Sequence, residues 1–417
     1  MTTAGVTREL LDALPVPELV GYYRDLHAHP ELSMSEHRTA ATLAERLRAA
    51  GYDTTEGVGG TGVAALLRNG DGPTVMIRAD LDALPIGEET GLPYASTVPG
   101  VMHACGHDLH TTCLAGTAQA LAAGRDAWSG TLLVVGQPAE ETAEGALAMV
   151  NDGLFSRFPR PDVVLGQHVG PTPVGSIGHR AGLIMSAATN VDVRIFGRGG
   201  HGSAPELCVD PVVTAAYLVT RLQSIVSREF AATEAVVVTT GRIQAGTTAN
   251  VIPDEALVTL NIRTQTQDAR DKVIDAIRRI ADAECAASRC PRPPEITLSG
   301  DFPVTMNDPD VATRVRAVHA ELFGEPLVVE YGPLMGSEDF PVFGMAEHHG
   351  GQAVPYAFWF FGGTAWDLWN AAPGEGREKV LNVPANHTPR FAPDAEPAVR
   401  TGVTALTSAA LTYLDLR

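Results

Sequence analysis

Apolar residues recur at helical spacing through the first fifty positions. "PELVGYYRDLHAHPEL" carries a partial apolar stripe, and "SEHRTAATLAERLRAAGY" runs from a capping-type serine to Gly51. Both stretches predict helices. Four apolar runs of strand length follow: "GVAALL" (62–67), "TVMIRAD" (74–80), "TLLVVGQP" (131–138) and "DVVLGQHV" (162–169). Helical patterns, "TTCLAGTAQALAAG" and "GALAMVNDGLF", separate the second run from the third and the third from the fourth. Strands alternating with helices of this length predict an α/β architecture with a mainly parallel sheet. Ligands of such sheets sit outside the carboxyl ends of the strands. Asp80, the turn carrying Glu140 and Glu141, and His168 all fall at such ends.

The pattern changes after about residue 186. "NVDVRIFG", "AVVVTTGRIQAG" and "ALVTLNIRT" alternate like half-buried strands, while "DPVVTAAYLVTRLQSIVSREF" and "DARDKVIDAIRRIADAECAAS" read as amphipathic helices. Their β-α-β-β-α-β order predicts a ferredoxin-like α+β domain. From about residue 300 the α/β character returns and ends in a helix after Pro393. Residues 1–186 and 301–417 thus form one discontinuous catalytic domain, interrupted by a smaller domain over 187–300. A chain of 417 residues is long enough for that division.

Composition excludes more than it identifies. Apolar and charged fractions of 45% and 19% are those of a globular protein. A formal net charge of −19, with no Lys/Arg block, argues against nucleic acid or an anionic membrane surface as partner. Lys272 and Lys379 are the only lysines, which carries no functional message. No apolar stretch approaches the roughly 18 residues of a membrane span, and "MTTAGVTRELLDALP" has no basic-then-apolar leader pattern. Five scattered cysteines argue for a reducing, cytoplasmic compartment.

Against that background "MHACGHDLHTT" (102–112) stands out, with three histidines and a cysteine within eight residues. Cys105 and His107, two apart, can serve one cation as soft and borderline ligands. The same residues also fit a helix start whose His and Asp act as caps over a buried thiol. "QPAEE" (137–141) adds two adjacent carboxylates just past a strand. Because successive side chains point apart, one can bind metal while its neighbour acts as general base on water. His168 and His387 are further candidate ligands, each unremarkable alone. Asp80, in "RADLDALP", is either a cap or an acid that orients a ligand histidine. "GRGGHGSAP" (197–205) lacks the Lys-Ser/Thr of a phosphate loop, which removes nucleotide binding.

Taken together, "LHAHPELSMSE" (26–36), "RADLDALPI" (78–86), "MHACGHDLHTT", "QPAEE", "GQHVGP" (166–171), "GRGGHGSAP", "TTANVIPDEA" (247–256), "GSEDF" (336–340) and "NHTPRF" (386–391) carry a resemblance. The chain resembles, end to end, the metal-dependent N-acyl-amino-acid amidohydrolases: the hippurate hydrolase, aminoacylase and indoleacetyl-amino-acid hydrolase group. The resemblance implies a zinc-peptidase type of catalytic domain with a lid or dimerisation domain inserted. It implies two divalent metal ions, Mn²⁺ or Zn²⁺ with Co²⁺ or Ni²⁺ possible, held by Cys105, His107, Glu141, His168 and His387. Glu140 would be the general base and later the proton donor, and Asp80 a supporting acid. His201 would reach a partner subunit's site to polarise the scissile carbonyl. Asn250 and Arg263 would bind the carboxylate of a small N-acyl amino acid, and the protein would be a homodimer. Arg78 stands where related zinc peptidases have a histidine ligand. Two other classes compete: an amidase with Cys105 as nucleophile, and a metal-free binding protein.

Overall fold

The computed structural model describes residues 2–417, which fall into two compact units. The first comprises Met1–Ile184, Met306–Gly332 and Asp339–Arg417; the second comprises Met185–Thr305 and Pro333–Glu338.

A nine-stranded sheet organises the first unit. Its four central strands run in the order Trp128–Gln137, Thr74–Asp80, Val163–Pro173 and Tyr356–Thr364, and are mutually parallel. Toward the edges the pairing turns antiparallel: Gly62–Asn69 against Trp128–Gln137, Asp53–Val58 against Gly62–Asn69, and Ile177–His179 against Tyr356–Thr364. The central strands are apolar along nearly their whole length because helices cover both faces of a parallel sheet. Helix His107–Ala123 is buried almost all round and packs against Val16–Ala28 and Ala395–Leu411. "GALAMVNDGLF" folds as two short helices, Gly145–Asn151 and Leu154–Arg157, interrupted at Gly153, whose φ is +85°. No helix among the described residues is long and apolar enough to cross a membrane.

The second unit is built on a four-stranded antiparallel sheet. The strand order is Val236–Ala245, Glu255–Thr264, Ala187–Phe196, Glu295–Phe302. With helices Pro211–Glu229 and Gln267–Ala287 between strands, this is the ferredoxin-like arrangement. The apolar faces of both helices pack with Val191, Val193, Ile195, Val258, Leu260 and Ile262 into a separate core.

A buried histidine pair in the first unit sets an acid limit on stability. His319 Nε2 lies 2.9 Å from the Ala405 carbonyl, and His319 Nδ1 lies 2.8 Å from His179 Nε2. The carbonyl only accepts, so His319 carries its proton on Nε2 and accepts the His179 proton on Nδ1. Both rings are neutral. Burial holds His319 down at about 4, and burial with the neighbouring His319 and Arg316 holds His179 well below the usual value. An unfolded histidine protonates near 6.5. The contribution is therefore complete above that pH and is lost as pH falls from about 6.5 toward 4, by about 3 kcal/mol for His319. Denaturant titrations between pH 7 and 4.5 should show a slope shallower by about one proton in His319→Gln than in the wild type; parallel slopes would remove this role.

Candidate metal centre

Strand register sets the frame of the site. Asp80, the last residue of its strand, stands opposite Gln137, and Arg78 stands opposite Gly166, two residues before His168. The loop after Gln137 delivers Glu140 and Glu141. His168 lies within its strand, five residues before the end, because Val163–Pro173 continues past the expected boundary. The start of helix His107–Ala123 supplies Cys105 and His107, and "NHTPRF" supplies His387.

Two positions show why the local sequence reads as it does. Gly106 has φ +85°, and a Cβ there would meet Val169 Cγ1 at 2.4 Å. Only glycine fits between the cysteine and the histidine. Ala139 and His387 adopt φ values of +48° and +65°, a conformation non-glycine residues rarely take. Such backbone is held only where its surroundings over-determine it. The buried carboxylate of Glu36 accepts the Ala139 N–H at 2.8 Å, and the His387 N–H donates to the Ala104 carbonyl at 2.8 Å.

The five candidate ligands converge. Cys105 Sγ lies 3.4 Å from His168 Nε2 and 3.2 Å from His387 Nε2. Glu141 Oε1 lies 3.3 Å from His387 Nε2 and 3.8 Å from His107 Nε2. Glu140 Oε2 is 3.8 Å from the same His107 nitrogen. Three overlapping clusters have ligand atoms within 4.8 Å of one another: Cys105/His107/His168, Cys105/Glu141/His387 and His107/Glu140/Glu141. The ring of His387 is the open side, with its side chain 53% exposed.

In His168 and His107 the ring nitrogen turned away from the cluster has a fixed partner. His168 Nδ1 is 2.7 Å from the Val169 carbonyl, which places its proton there and leaves Nε2 as a lone pair toward Cys105. Burial and the neighbouring His110 keep this ring neutral, its pKa well below the usual value. His107 Nδ1 is 3.2 Å from Asp82 Oδ1, so its Nε2 faces the carboxylates. Burial opposes charge on His107, but Asp80, Asp82 and Glu141 outweigh it and hold the pKa up at about 10.

Asp80 makes its contacts elsewhere. Its carboxylate takes the Arg78 guanidinium at 2.7 Å and His110 Nδ1 at 2.6 Å. His110 Nε2 in turn accepts the Val169 N–H at 2.8 Å, tying Asp80 to the strand that bears His168. Burial alone would raise the Asp80 pKa; His107, His110 and Arg78 hold it well below the carboxylate range. Arg78, fully buried, also reaches Gln137 Oε1 at 2.7 Å and Asp339 Oδ1 at 3.1 Å. It is thus a built-in cation behind the cluster, and Asp339 of "GSEDF" closes the network through Gln137 and the Ala146 N–H.

Sequence reasoning missed Asp82. Its carboxylate accepts from Ser33 Oγ at 2.7 Å and from the backbone N–H groups of Glu140 and Glu141 at 3.1 and 3.0 Å. The signal was Asp-Leu-Asp itself: residues two apart beyond a strand both turn toward the site. Asp82→Ala should leave those donors buried without an acceptor, at about 1–3 kcal/mol each. Metal affinity should fall roughly tenfold to a hundredfold. Thermal melts and metal titration check both, and unchanged affinity would remove Asp82 from the site. Asn386 was also missed; its Nδ2 donates to the carbonyls of Cys105 and Val169, both at 3.1 Å.

His103 is fully buried with both ring nitrogens lacking a hydrogen-bond partner, and burial lowers its pKa to about 4. Phe358 and Phe360 are both buried, and the ring of Phe358 packs 5.1 Å from that of Phe340. His201, Asn250 and Arg263 belong to the second unit. His201 and Asn250 adjoin, since His201 pairs with Val251 and the Gly202 N–H donates to the Asn250 carbonyl. Arg263 donates to Asn261 Oδ1 at 3.0 Å and to the Met335 carbonyl at 2.6 Å.

The residues present fit divalent cations. His107 Nε2 and Glu141 Oε1 are buried polar atoms without a hydrogen-bond partner, both turned into the cluster. Four carboxylates (Asp80, Asp82, Glu140, Glu141) surround His107, with Arg78 the fixed positive charge beside them. A thiol, imidazoles and a carboxylate form a donor set suited to zinc and its transition-metal neighbours.

Comparison with known proteins agrees. The family described as "Peptidase family M20/M25/M40" matches residues 76–375. A hippurate hydrolase of Campylobacter jejuni is 39% identical over 325 residues, covering 76% of this chain and 82% of that protein. An N-acetylcysteine deacetylase of Bacillus subtilis is 34% identical, covering 88% and 94%. The crystal structure of the Bacillus subtilis YXEP protein, described as a dinuclear metal binding peptidase from the M20 family, has a TM-score of 0.74 and 31% identity. It covers 95% of this chain and 97% of that one. The chain is an enzyme, a hydrolase belonging to peptidase family M20/M25/M40.

Proposed function

We propose that this protein hydrolyses the amide bond of N-acyl amino acids, releasing a carboxylic acid and a free amino acid. The observation that carries the reading is the convergence of Cys105, His107, Glu141, His168 and His387 in overlapping clusters, with Glu140 beside His107. These five would hold two divalent cations, Mn²⁺ or Zn²⁺ first. Such cations would supply Lewis acidity, acidifying a water and polarising the amide carbonyl.

The chain's own residues do the rest. Glu140 takes the proton of the attacking water and returns it to the leaving amine, matching one carboxylate to two proton transfers. Asp82 holds the backbone of Glu140 and Glu141 in place and turns the free nitrogen of His107 inward. Asp80 and Arg78 fix the floor. His201, Asn250 and Arg263 are assigned to the substrate: a carbonyl donor and two carboxylate-binding groups.

A homodimer fits the second unit, whose edge strand Val236–Ala245 exposes Val237 and Ile243. The unpaired backbone groups of an edge strand of this length can pair with a second copy. A reducing cytoplasmic setting fits the five free thiols.

The test is a hydrolysis screen across N-acetyl-, N-benzoyl- and indoleacetyl-amino acids after reconstitution with Mn²⁺ or Zn²⁺. Release of free amino acid from at least one class is expected. A metal-loaded enzyme inert toward all three would overturn the reading.

A further inference from the structure

The second unit holds a pair of cysteines that the proposed reaction does not use. Helix Gln267–Ala287 ends at Ser288, and Arg289 then takes φ +57°. The Cys290 N–H reaches back to the Cys285 carbonyl at 2.9 Å, and the Arg289 N–H to that of Ala286 at 3.1 Å. These paired bonds with a left-handed residue between them make a Schellman cap. In such caps the residues corresponding to 285 and 290 usually make an apolar contact. Here both positions are cysteines, and Cys290 packs against the core that contains Cys285.

The backbone geometry suits a covalent bond between them. A 2.9 Å N···O bond, with standard backbone lengths, keeps the two Cα atoms within about 6.8 Å. Disulfides span Cα separations of roughly 4.4–6.8 Å. Pro291 and Pro293 follow immediately and stiffen the chain beyond the cap. The two sites also differ in access, since Cys285 is buried and Cys290 half-buried.

We infer that Cys285 and Cys290 form a reversible disulfide that clamps the end of helix Gln267–Ala287, with a low-molecular-weight disulfide as oxidant. The accessible Cys290 thiolate attacks one sulfur of the oxidant, which expels one thiol and leaves a mixed disulfide. Cys285 loses its proton to solvent and displaces the second thiol. The protein loses two hydrogens and two electrons, and one oxidant molecule becomes two thiols. Burial, with Cys290, Asp282 and Glu284 nearby, pushes the Cys285 thiol up to about 12, so the second step is the slower one and quickens as pH rises.

The test treats full-length protein with glutathione disulfide, blocks remaining thiols under denaturing conditions and digests with trypsin. Cleavage after Arg289 separates the Cys285 peptide from the Cys290 peptide unless a disulfide joins them. The expected result is the joined pair, abolished by dithiothreitol and by Cys290→Ser, with a rise in melting temperature on oxidation of the wild type only. Glutathione left as a mixed disulfide on Cys290, or both thiols recovered blocked, would overturn it.

Discussion

Glu140→Gln should bind metal as the wild type does and turn over substrate about a hundred- to ten-thousand-fold more slowly, the range general acid–base catalysis contributes. The substitution keeps the size of the side chain and the backbone bond to Asp82. It removes only the ability to take and return a proton. Both acids lie 3.8 Å from His107, but Glu141 has the partnerless oxygen and the 3.3 Å approach to His387. A ligand role would therefore fall on Glu141, and Glu141→Gln should show the converse: weakened metal binding, with activity partly recovered at high metal concentration. Metal content by elemental analysis alongside kcat distinguishes the two. Near-normal kcat in the Glu140→Gln enzyme would leave the pocket without a general base.

That Glu140 and Glu141 stand together beside the cluster was legible in the sequence because it needs only strand-end topology. A parallel sheet puts its chemistry past the strand ends. The strands at 74–80 and 131–138 were legible for a similar reason, as apolar runs bounded by glycine, proline and acids. Strand Asp53–Val58 was not: "DTTEGV" is polar and largely exposed at a sheet edge, so it lacks the pattern by which strands are read.

At the site, what could not be read was support that depends on convergence. Asn386 holds the backbone of Cys105 from 281 residues away. His110 carries no sign in the sequence that its two nitrogens join Asp80 to Val169. Arg78 was recognised as unable to ligate metal, but its role as counter-charge to Asp80 and Asp339 appears only when "GSEDF" folds back onto the strand. Cys105, His107 and the acid pair were candidates by type and spacing, and His168 and His387 gained weight only from the resemblance, whereas the residues that orient them are fixed by tertiary contacts with no local pattern.

Cys105 gives the sharpest remaining contrast between mechanisms, and chelation should abolish activity while Mn²⁺ or Zn²⁺ restores it. A nucleophilic cysteine needs an environment that favours thiolate, with a cation or a protonated base beside it. Here burial, then Glu141, Glu140 and Asp80, push the thiol well above its ordinary value. Only a cation at the same point reverses that balance, since a coordinating thiol is deprotonated outright. His168 presents a neutral lone pair to the sulfur, which suits a co-ligand. Cys105→Ser should therefore weaken metal binding by at least the roughly tenfold to hundredfold that loss of an outer partner costs. Its activity should climb as metal is added, because a weakened ligand set can be refilled and a missing nucleophile cannot. Activity that survives chelation, together with a Cys105→Ser variant inactive at every metal concentration, would transfer the attack on substrate from water to the thiol.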